Sequence, residues 1–316
     1  MAGDLAAEAR QSTPRVSVGL AVYNGERYIA SAIECILSQS YRDFELIICD
    51  NDSSDRTGEI CQRFAAVDPR VRYYRNPRNI GGVRNENRTF FLARGEFFKL
   101  AAHDDLISDN FLEASVAALD AHPRAELCIP SALVIDEDGA ERETDAPISG
   151  VEPTVPARIR ALTDFRYMCE ATYGVARMTA LRAIRPQANF LHSDRIVMCE
   201  LAARAPFHLE PSAVFYRRIH AGNVYRDWRG RMSWFQPELM KSGKLRLPHW
   251  RLLLGYLVMI GRCNLTPSER TRSVLAIGGW AVAARRSLVM DILYAARMVT
   301  LGRTGRRARY VSGGHL

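Results

Sequence analysis

The chain has 316 residues, 47% hydrophobic and 25% charged, a composition that suits a folded globular protein and excludes a disordered or fibrous one. Its net charge of +8 is unevenly placed: residues 241–316 carry 14 Lys and Arg against 2 Asp and Glu, and the first 240 carry 29 against 33. A mildly acidic body with a strongly basic tail section points to a membrane surface or a nucleic acid. No recognised nucleic-acid module accompanies the charge, so the membrane surface is preferred. The seven cysteines form no Cys-x-x-Cys pair and most sit in apolar segments, so reduced thiols in a cytoplasmic protein are expected rather than disulfides or zinc.

Residues 1–14 are small, polar and charged, without the apolar stretch of a signal peptide, and read as a disordered start. Val16 to Val22 is a short apolar run with the look of a buried parallel strand, ended by the tight turn Tyr23-Asn24-Gly25. Ile29, Ile33, Ile36 and Leu37 then recur at helical spacing. Phe44 to Cys49 is a second strand, and Ser and Asp residues in Asp50 to Asp55 are placed to cap the helix that runs to about Ala66. Val71 to Tyr74 is a third strand, residues 76–82 a loop, and a helix from about Val83 to Ala93 leads to a fourth strand, Phe97 to Ala102.

This alternation implies a doubly wound, mostly parallel sheet with helices on both faces. Three of its strands end at one edge in polar residues, Asn24, Asp50 and Asp104. In open α/β sheets that edge is where ligands sit. The paired carboxylates Asp104 and Asp105 suit Mg²⁺ or Mn²⁺ holding a diphosphate; alternatively they begin a turn and cap the helix that starts near Ser108.

Beyond it, Ser108 to Ala121 reads as a helix and Ala125 to Asp136 as a strand. An acidic loop follows, with a hairpin turn at Glu137-Asp138-Gly139 and acids expected to be solvated surface. Val155 to Cys169 looks helical and Thr172 to Arg177 extended; Ser193 or Asp194 is placed to cap the helix ending near Arg204. Ala213 to His220 is a strand with a basic end, and Gly222 to Trp234 is a candidate flap. The apolar runs of residues 246–310 are broken by arginines and fall short of the roughly 18–20 residues that span a bilayer. They are expected to be helices that pack on the domain or lie in a membrane interface.

The stretches VSVGLAVYNGERYI, FELIICDNDSSDRT, RNIGGVRNENRTFFLARGEFFKLAAHDD, SDRIVMCELA and FYRRIHAGN resemble, in order and spacing, the inverting glycosyltransferases of family 2, which have the GT-A fold. The resemblance covers roughly residues 16–225. It implies a GT-A domain over 15–235, with a nucleotide-sugar half (15–112) and an acceptor half (113–235), followed by a basic helical region over 236–316. It also implies transfer of a sugar from a nucleoside-diphosphate-sugar to a glycan or lipid-linked acceptor, in cell-envelope or polysaccharide synthesis. The enzyme would be cytoplasmic or peripheral on the inner face of the membrane.

By the same resemblance Asp50 would touch the base or ribose, Asn51 would stand where many members have a second Asp, and Arg84 would approach the nucleotide. Asp104 would bind the divalent cation, with Asp105 beside it and His220 contacting diphosphate or metal. Arg217 or Arg218 would add positive charge there, and Asp194 would be the general base. The chain departs from the family's Asp-x-Asp motif, whose first position is Ala102, with His103 placed to compensate. That departure supports one alternative, a non-catalytic GT-A-like protein that binds sugar nucleotide or glycan.

Overall fold

The computed structural model of the chain describes residues 13–142, 149–164, 169–222 and 247–303. The expected disordered start (Thr13 and Pro14 apart), the flap at 223–234 and the boundary at 235/236 lie outside the described residues. The first half alternates as its hydrophobic pattern requires: β1 (Val16–Val22), α1 (Ile29–Leu37), β2 (Phe44–Asp50), α2 (Thr57–Val67), β3 (Val71–Arg75), α3 (Gly82–Leu92) and β4 (Phe97–Ala101). The four strands pair in parallel in the order β3-β2-β1-β4, with Val16 beside both Phe44 and Phe97.

Strand period two sorts the side chains of β1 to opposite faces. Val16, Val18, Leu20 and Val22 pack with Ile29, Ile33 and Ile36 of α1 on one face. Ser17 and Gly19 point to the other, where α3 lies so close that a Cβ on Gly19 would stand 2.3 Å from Thr89 Oγ1. This close approach seats α3, and with it the first turn that carries Arg84, against the sheet.

The second half contains β5 (Leu106–Ile107), α4 (Phe111–Ala121), β6 (Leu127–Ile135), β7 (Glu141–Arg142) and α5 (Val155–Thr163). After them come β8 (Val175–Arg177), α6 (Met178–Arg182), α7 (Asp194–Arg204) and β9 (His208–Arg218). Here the sheet is mixed, in the order β4-β8-β6-β9-β5: β8 is antiparallel to β4 and β6, β9 is parallel to β6, and β5 is antiparallel to β9. The extended reading of Thr172 to Arg177 holds only for β8, because residues 170–173 form a 3-10 turn. Strand β9 begins at His208, five residues before the expected Ala213, and its register against β6 shifts between Pro130 and Ser131. Proline has no N–H for the ladder, which places the irregularity there.

Three helices close the described chain: α8 (Pro248–Arg262), α9 (Pro267–Ala283) and α10 (Arg285–Arg303). Leu252, Tyr256, Met259 and Trp280 share one core with Ile159 of α5 and Met198 and Leu201 of α7, so the basic region packs on those helices. The capping box expected of a strong helix start is present on α9, between Thr266 and Glu269.

Glu45 of β2 ties the far end of the sheet together. Its side chain is 3% exposed, accepts from Ser17 Oγ at 2.7 Å and pairs with Arg72 at 2.6 Å and Arg94 at 2.9 Å. Burial opposes its charge, but these donors outweigh burial and hold the carboxyl below its ordinary value. A carboxyl lowered in the folded state contributes stability above its unfolded pKa and loses it as pH falls through the folded value. Glu45→Gln should therefore cost about 2 kcal/mol at neutral pH. The gap from the parent should narrow below about pH 4, as read by urea unfolding at two pH values; an equal gap at both would contradict the assignment.

Candidate active site

The parallel strands deliver two clusters of polar side chains to their carboxyl edge. The first forms at the ends of β1 and β2. Asn24, in the left-handed region at φ 50°, accepts the Ser54 amide at 2.8 Å through its side-chain oxygen, and its own amide donates to Ser53 Oγ at 2.9 Å. Gly25 N–H donates to Thr57 Oγ1 at 2.8 Å, so the turn after β1 is laced to the start of α2. Asp50 ends β2 with 0% exposure; it accepts from Ser53 N at 2.8 Å and Tyr73 Oη at 2.8 Å, with Arg75 at 3.6 Å. Burial and the Asp50 carboxylate together push the Tyr73 phenol up.

Asn51 is buried within a network of amides. Its oxygen accepts from Asn76 Nδ2 at 2.9 Å and Ile80 N at 2.9 Å, and its nitrogen donates to Asn79 at 2.9 Å. Asn76 also donates to Asn85 at 2.8 Å and accepts from Arg88. Asn51 thus pins the 76–81 loop, which leads into α3 and leaves Arg84 exposed on its first turn. The asparagine-rich spelling of residues 76–87 was the signal for this network, and single-residue reading passed over it.

The second cluster joins the end of β4 to the end of β9. His220 Nε2 lies 3.0 Å from Asp104 Oδ2. The Gly222 amide donates to His220 Nδ1 at 3.1 Å, which leaves Nε2 to carry the proton toward Asp104 in the neutral ring. His103 Nδ1 lies 3.9 Å from the other Asp104 oxygen, and Gly25 leaves room for its ring: a Cβ there would stand 2.6 Å from His103. Burial opposes the Asp104 charge, but His103 and His220 prevail and hold its carboxyl below the ordinary range. Burial, then the neighbouring Asp104 charge, pushes the Asp105 carboxyl up to about 8, although the Arg218 amide donates to it at 2.8 Å.

Neither acid caps α4, which begins at Phe111 without a side-chain cap. The two acids lie at the bend between β4 and β5, and the capping half of that reading fails.

The Arg218 guanidinium points inward, donating to the carbonyls of Asp104 at 2.9 Å, Asp136 at 3.2 Å and Glu137 at 2.9 Å. Glu137, expected as solvated surface, keeps its side chain 38% exposed and also pairs with Arg27 at 2.7 Å and accepts the Ala221 amide at 3.1 Å. It anchors the β6–β7 hairpin over the His220 turn. Tyr28, which no sequence motif singled out, lies between these parts. Its ring sits 4.7 Å from that of His220 and 5.0 Å from the Arg218 guanidinium. Its buried hydroxyl has no hydrogen-bond partner among the described residues.

Asp194 is the first residue of α7, half-buried, where the helix N-terminus favours an anion. His192, in the left-handed region at φ 63°, and Arg195, donating to the Leu162 and Asp164 carbonyls at 3.2 and 2.8 Å, fix that helix start. Ser193 makes no cap hydrogen bond, so capping does not account for the Ser-Asp pair. Burial, with the Asp194 charge added, pushes the Glu86 carboxyl of α3 up to about 8. Glu86 lines an apolar cavity of about 90 Å³ between α3, β4, β8 and α7, with Phe90, Leu100 and Val197 in its wall.

Residues 17–184, more than half of the chain, match the model of the family described as Glycosyl transferase family 2. The chain belongs to glycosyl transferase family 2. Among curated relatives it is 36% identical over 148 residues to EpsE of Bacillus subtilis, named as a glycosyltransferase, covering 46% of this chain and 53% of that one. It is 34% identical over 98 residues to glycosyltransferase GlyG of Streptococcus pneumoniae, covering 31% and 33%. The chain thus spans about half the length, or less, of these curated relatives.

In fold it is similar to TarS 1-349 of S. aureus, solved in complex with UDP-GlcNAc, at a TM-score of 0.63 and 17% identity over 85% of this chain and 73% of that one. It is also similar to the mannosyltransferase PcManGT of Pyrobaculum calidifontis, solved with GDP-Man and Mn²⁺, at 0.52 and 16% over 93% and 81%. The fold of this family-2 member is accordingly GT-A.

Proposed function

We propose that this glycosyltransferase moves a sugar, with inversion, from a nucleoside-diphosphate-sugar to a glycan or lipid-linked acceptor in cell-envelope or polysaccharide synthesis. The observation that carries the reading is the meeting of Asp104, Asp105, His220 and Arg218 at the carboxyl edge of the parallel strands, beside Asn24 and Asp50. The two solved structures of like fold hold sugar nucleotides, UDP-GlcNAc and GDP-Man, which supports the donor class.

The exposed Arg84 meets the anionic nucleotide. Asp50 and Asn24 shape its floor, and Asn51 acts by holding the 76–81 loop in place. Arg218 contributes by fixing the Asp104–Asp105 backbone, because its fork is engaged by carbonyls.

Among the described residues no group of three metal-ligating side chains occurs. Asp104 nevertheless fits a divalent cation, Mg²⁺ or Mn²⁺, of the kind bound by one or two carboxylates plus substrate phosphates, while His220, its Nδ1 engaged by the Gly222 amide, donates from Nε2 to that carboxylate. Such an ion, when bound, would supply positive charge for the diphosphate leaving group. Asp194 takes the proton of the acceptor hydroxyl as its oxygen bonds to the anomeric carbon, while the bond from that carbon to the diphosphate oxygen breaks and its electron pair leaves with the nucleotide. An α-linked donor should then give a β-linked product, read by proton NMR of the anomeric coupling. A retained configuration would contradict a single general base at Asp194.

We place the enzyme at the inner face of a membrane, a reading supported by the basic tail section. No helix of the described residues is long and apolar enough to cross a membrane.

A further inference from the structure

We propose that the outward faces of α8, α9 and α10 form a docking surface for an anionic lipid bilayer. The proposal rests on the membrane-side placement given above and is independent of the transfer chemistry.

Helix α8 is apolar all round, a pattern that normally means burial on every side. One stripe, Leu252, Tyr256, Met259 and Ile260, is buried on the domain. The opposite stripe, Trp250, Leu254, Leu257 and Val258, has the i, i+4, i+7, i+8 spacing of a single helix face, yet Leu254 is 62% exposed. On α9 the same division recurs: Ala276, Ile277 and Trp280 are buried, while Val274, Leu275 and Val282 are exposed, Leu275 at 68%. Beside them a Cβ added at Gly278 or Gly279 would meet nothing within 4 Å. Val289, Ile292 and Leu293 continue the exposure on α10.

Ten of the fifteen large apolar side chains exposed among the described residues lie on these three helices. Such a concentration marks an interaction surface rather than ordinary scatter.

Charge selects the partner. Arg272, Arg285, Arg286 and Arg297 are exposed on the same helices. No acidic side chain is exposed among the described residues from 247 to 297. Glu269 is half-buried in its capping box, and Asp291 is buried against His249 at 3.1 Å. An apolar stripe fringed by arginines and free of exposed acids complements acyl chains under anionic headgroups. A bilayer on which the helices lie, rather than one they cross, also agrees with their composition.

The test is co-sedimentation of the full chain with vesicles of phosphatidylcholine alone and of phosphatidylcholine with phosphatidylglycerol. Donor-nucleotide binding is measured on the same samples. The parent chain should bind the anionic vesicles and bind the neutral ones at least about tenfold less. Leu254→Ser, Leu257→Ser and Val258→Ser combined should lower anionic-vesicle binding at least about tenfold, and Arg272→Gln, Arg286→Gln and Arg297→Gln combined by a similar factor. Both should keep the parent's circular dichroism and nucleotide binding.

No vesicle binding by the parent, or equal binding by the parent and the serine variant, would overturn the proposal. So would a parent dimer that the serine variant breaks without any change on vesicles, which would assign the face to a second copy. Vesicle binding by a parent chain that takes up no sugar nucleotide would support the surface and overturn the transfer reading instead.

Discussion

Asp194→Asn should lower the turnover of sugar transfer roughly 10²- to 10⁴-fold while leaving nucleotide-sugar binding within about twofold. Asparagine keeps the size and polarity of the side chain and removes only its capacity to accept a proton. The start of α7 should not move, because Arg195 holds it through the carbonyls of Leu162 and Asp164. The donor's residues at the ends of β1, β2 and β4 lie on other elements. Loss of turnover with binding retained separates a catalyst from the non-catalytic binder that Ala102, in place of the motif's first Asp, would otherwise favour. Unchanged turnover would remove Asp194 from the mechanism. Glu86→Gln is the control for the neighbouring carboxyl, and if Asp194 is the base it should cost far less.

Asp104→Asn is the second large effect, with activity expected to fall roughly 10²- to 10⁴-fold. The amide retains the side chain's volume but loses the charge that the site is built around. His103 and His220 both face this carboxylate, and burial makes its charge costly without them. Unlike Asp194→Asn, this variant should also weaken donor binding, and adding excess Mn²⁺ should restore part of it. A variant that loses activity but binds donor with the parent's affinity and metal dependence would show that Asp104 does not act through the cation.

Much of the nucleotide half could be read from local pattern. Alternating β1 residues, the helical spacing of Ile29, Ile33 and Ile36, and polar strand ends at Asn24, Asp50 and Asp104 each lie within a few residues of chain, where period and turn chemistry decide. What resisted reading depends on pairing across long separations. Strand β8 has three residues and takes its place by antiparallel bonding to β4 and β6, so no run of apolar residues announces it. The early start of β9 lies in the pairing of His208 to Glu210 with Cys128 to Pro130, across a register shift from the rest of the strand.

At the site, sequence gave residue types and the structure their use. Arg217 or Arg218 was expected to add positive charge there, and the Arg218 guanidinium binds carbonyls of the β4 and β6 ends. Asn51, expected where many members have a second Asp, is buried among amides. Tyr28 lies in the stretch VSVGLAVYNGERYI but drew no role there, because its significance is its position between His220 and Arg218, brought together from residues far apart in the chain.

The measurement that bears most directly on the account is calorimetric titration of the full chain with UDP, dTDP, GDP and their common sugars, in Mn²⁺, in Mg²⁺ and in EDTA. One nucleotide and its sugar should bind in the presence of a divalent cation, and EDTA or Asp104→Asn should weaken that binding. A folded chain that binds none of them under any of these conditions would contradict that expectation.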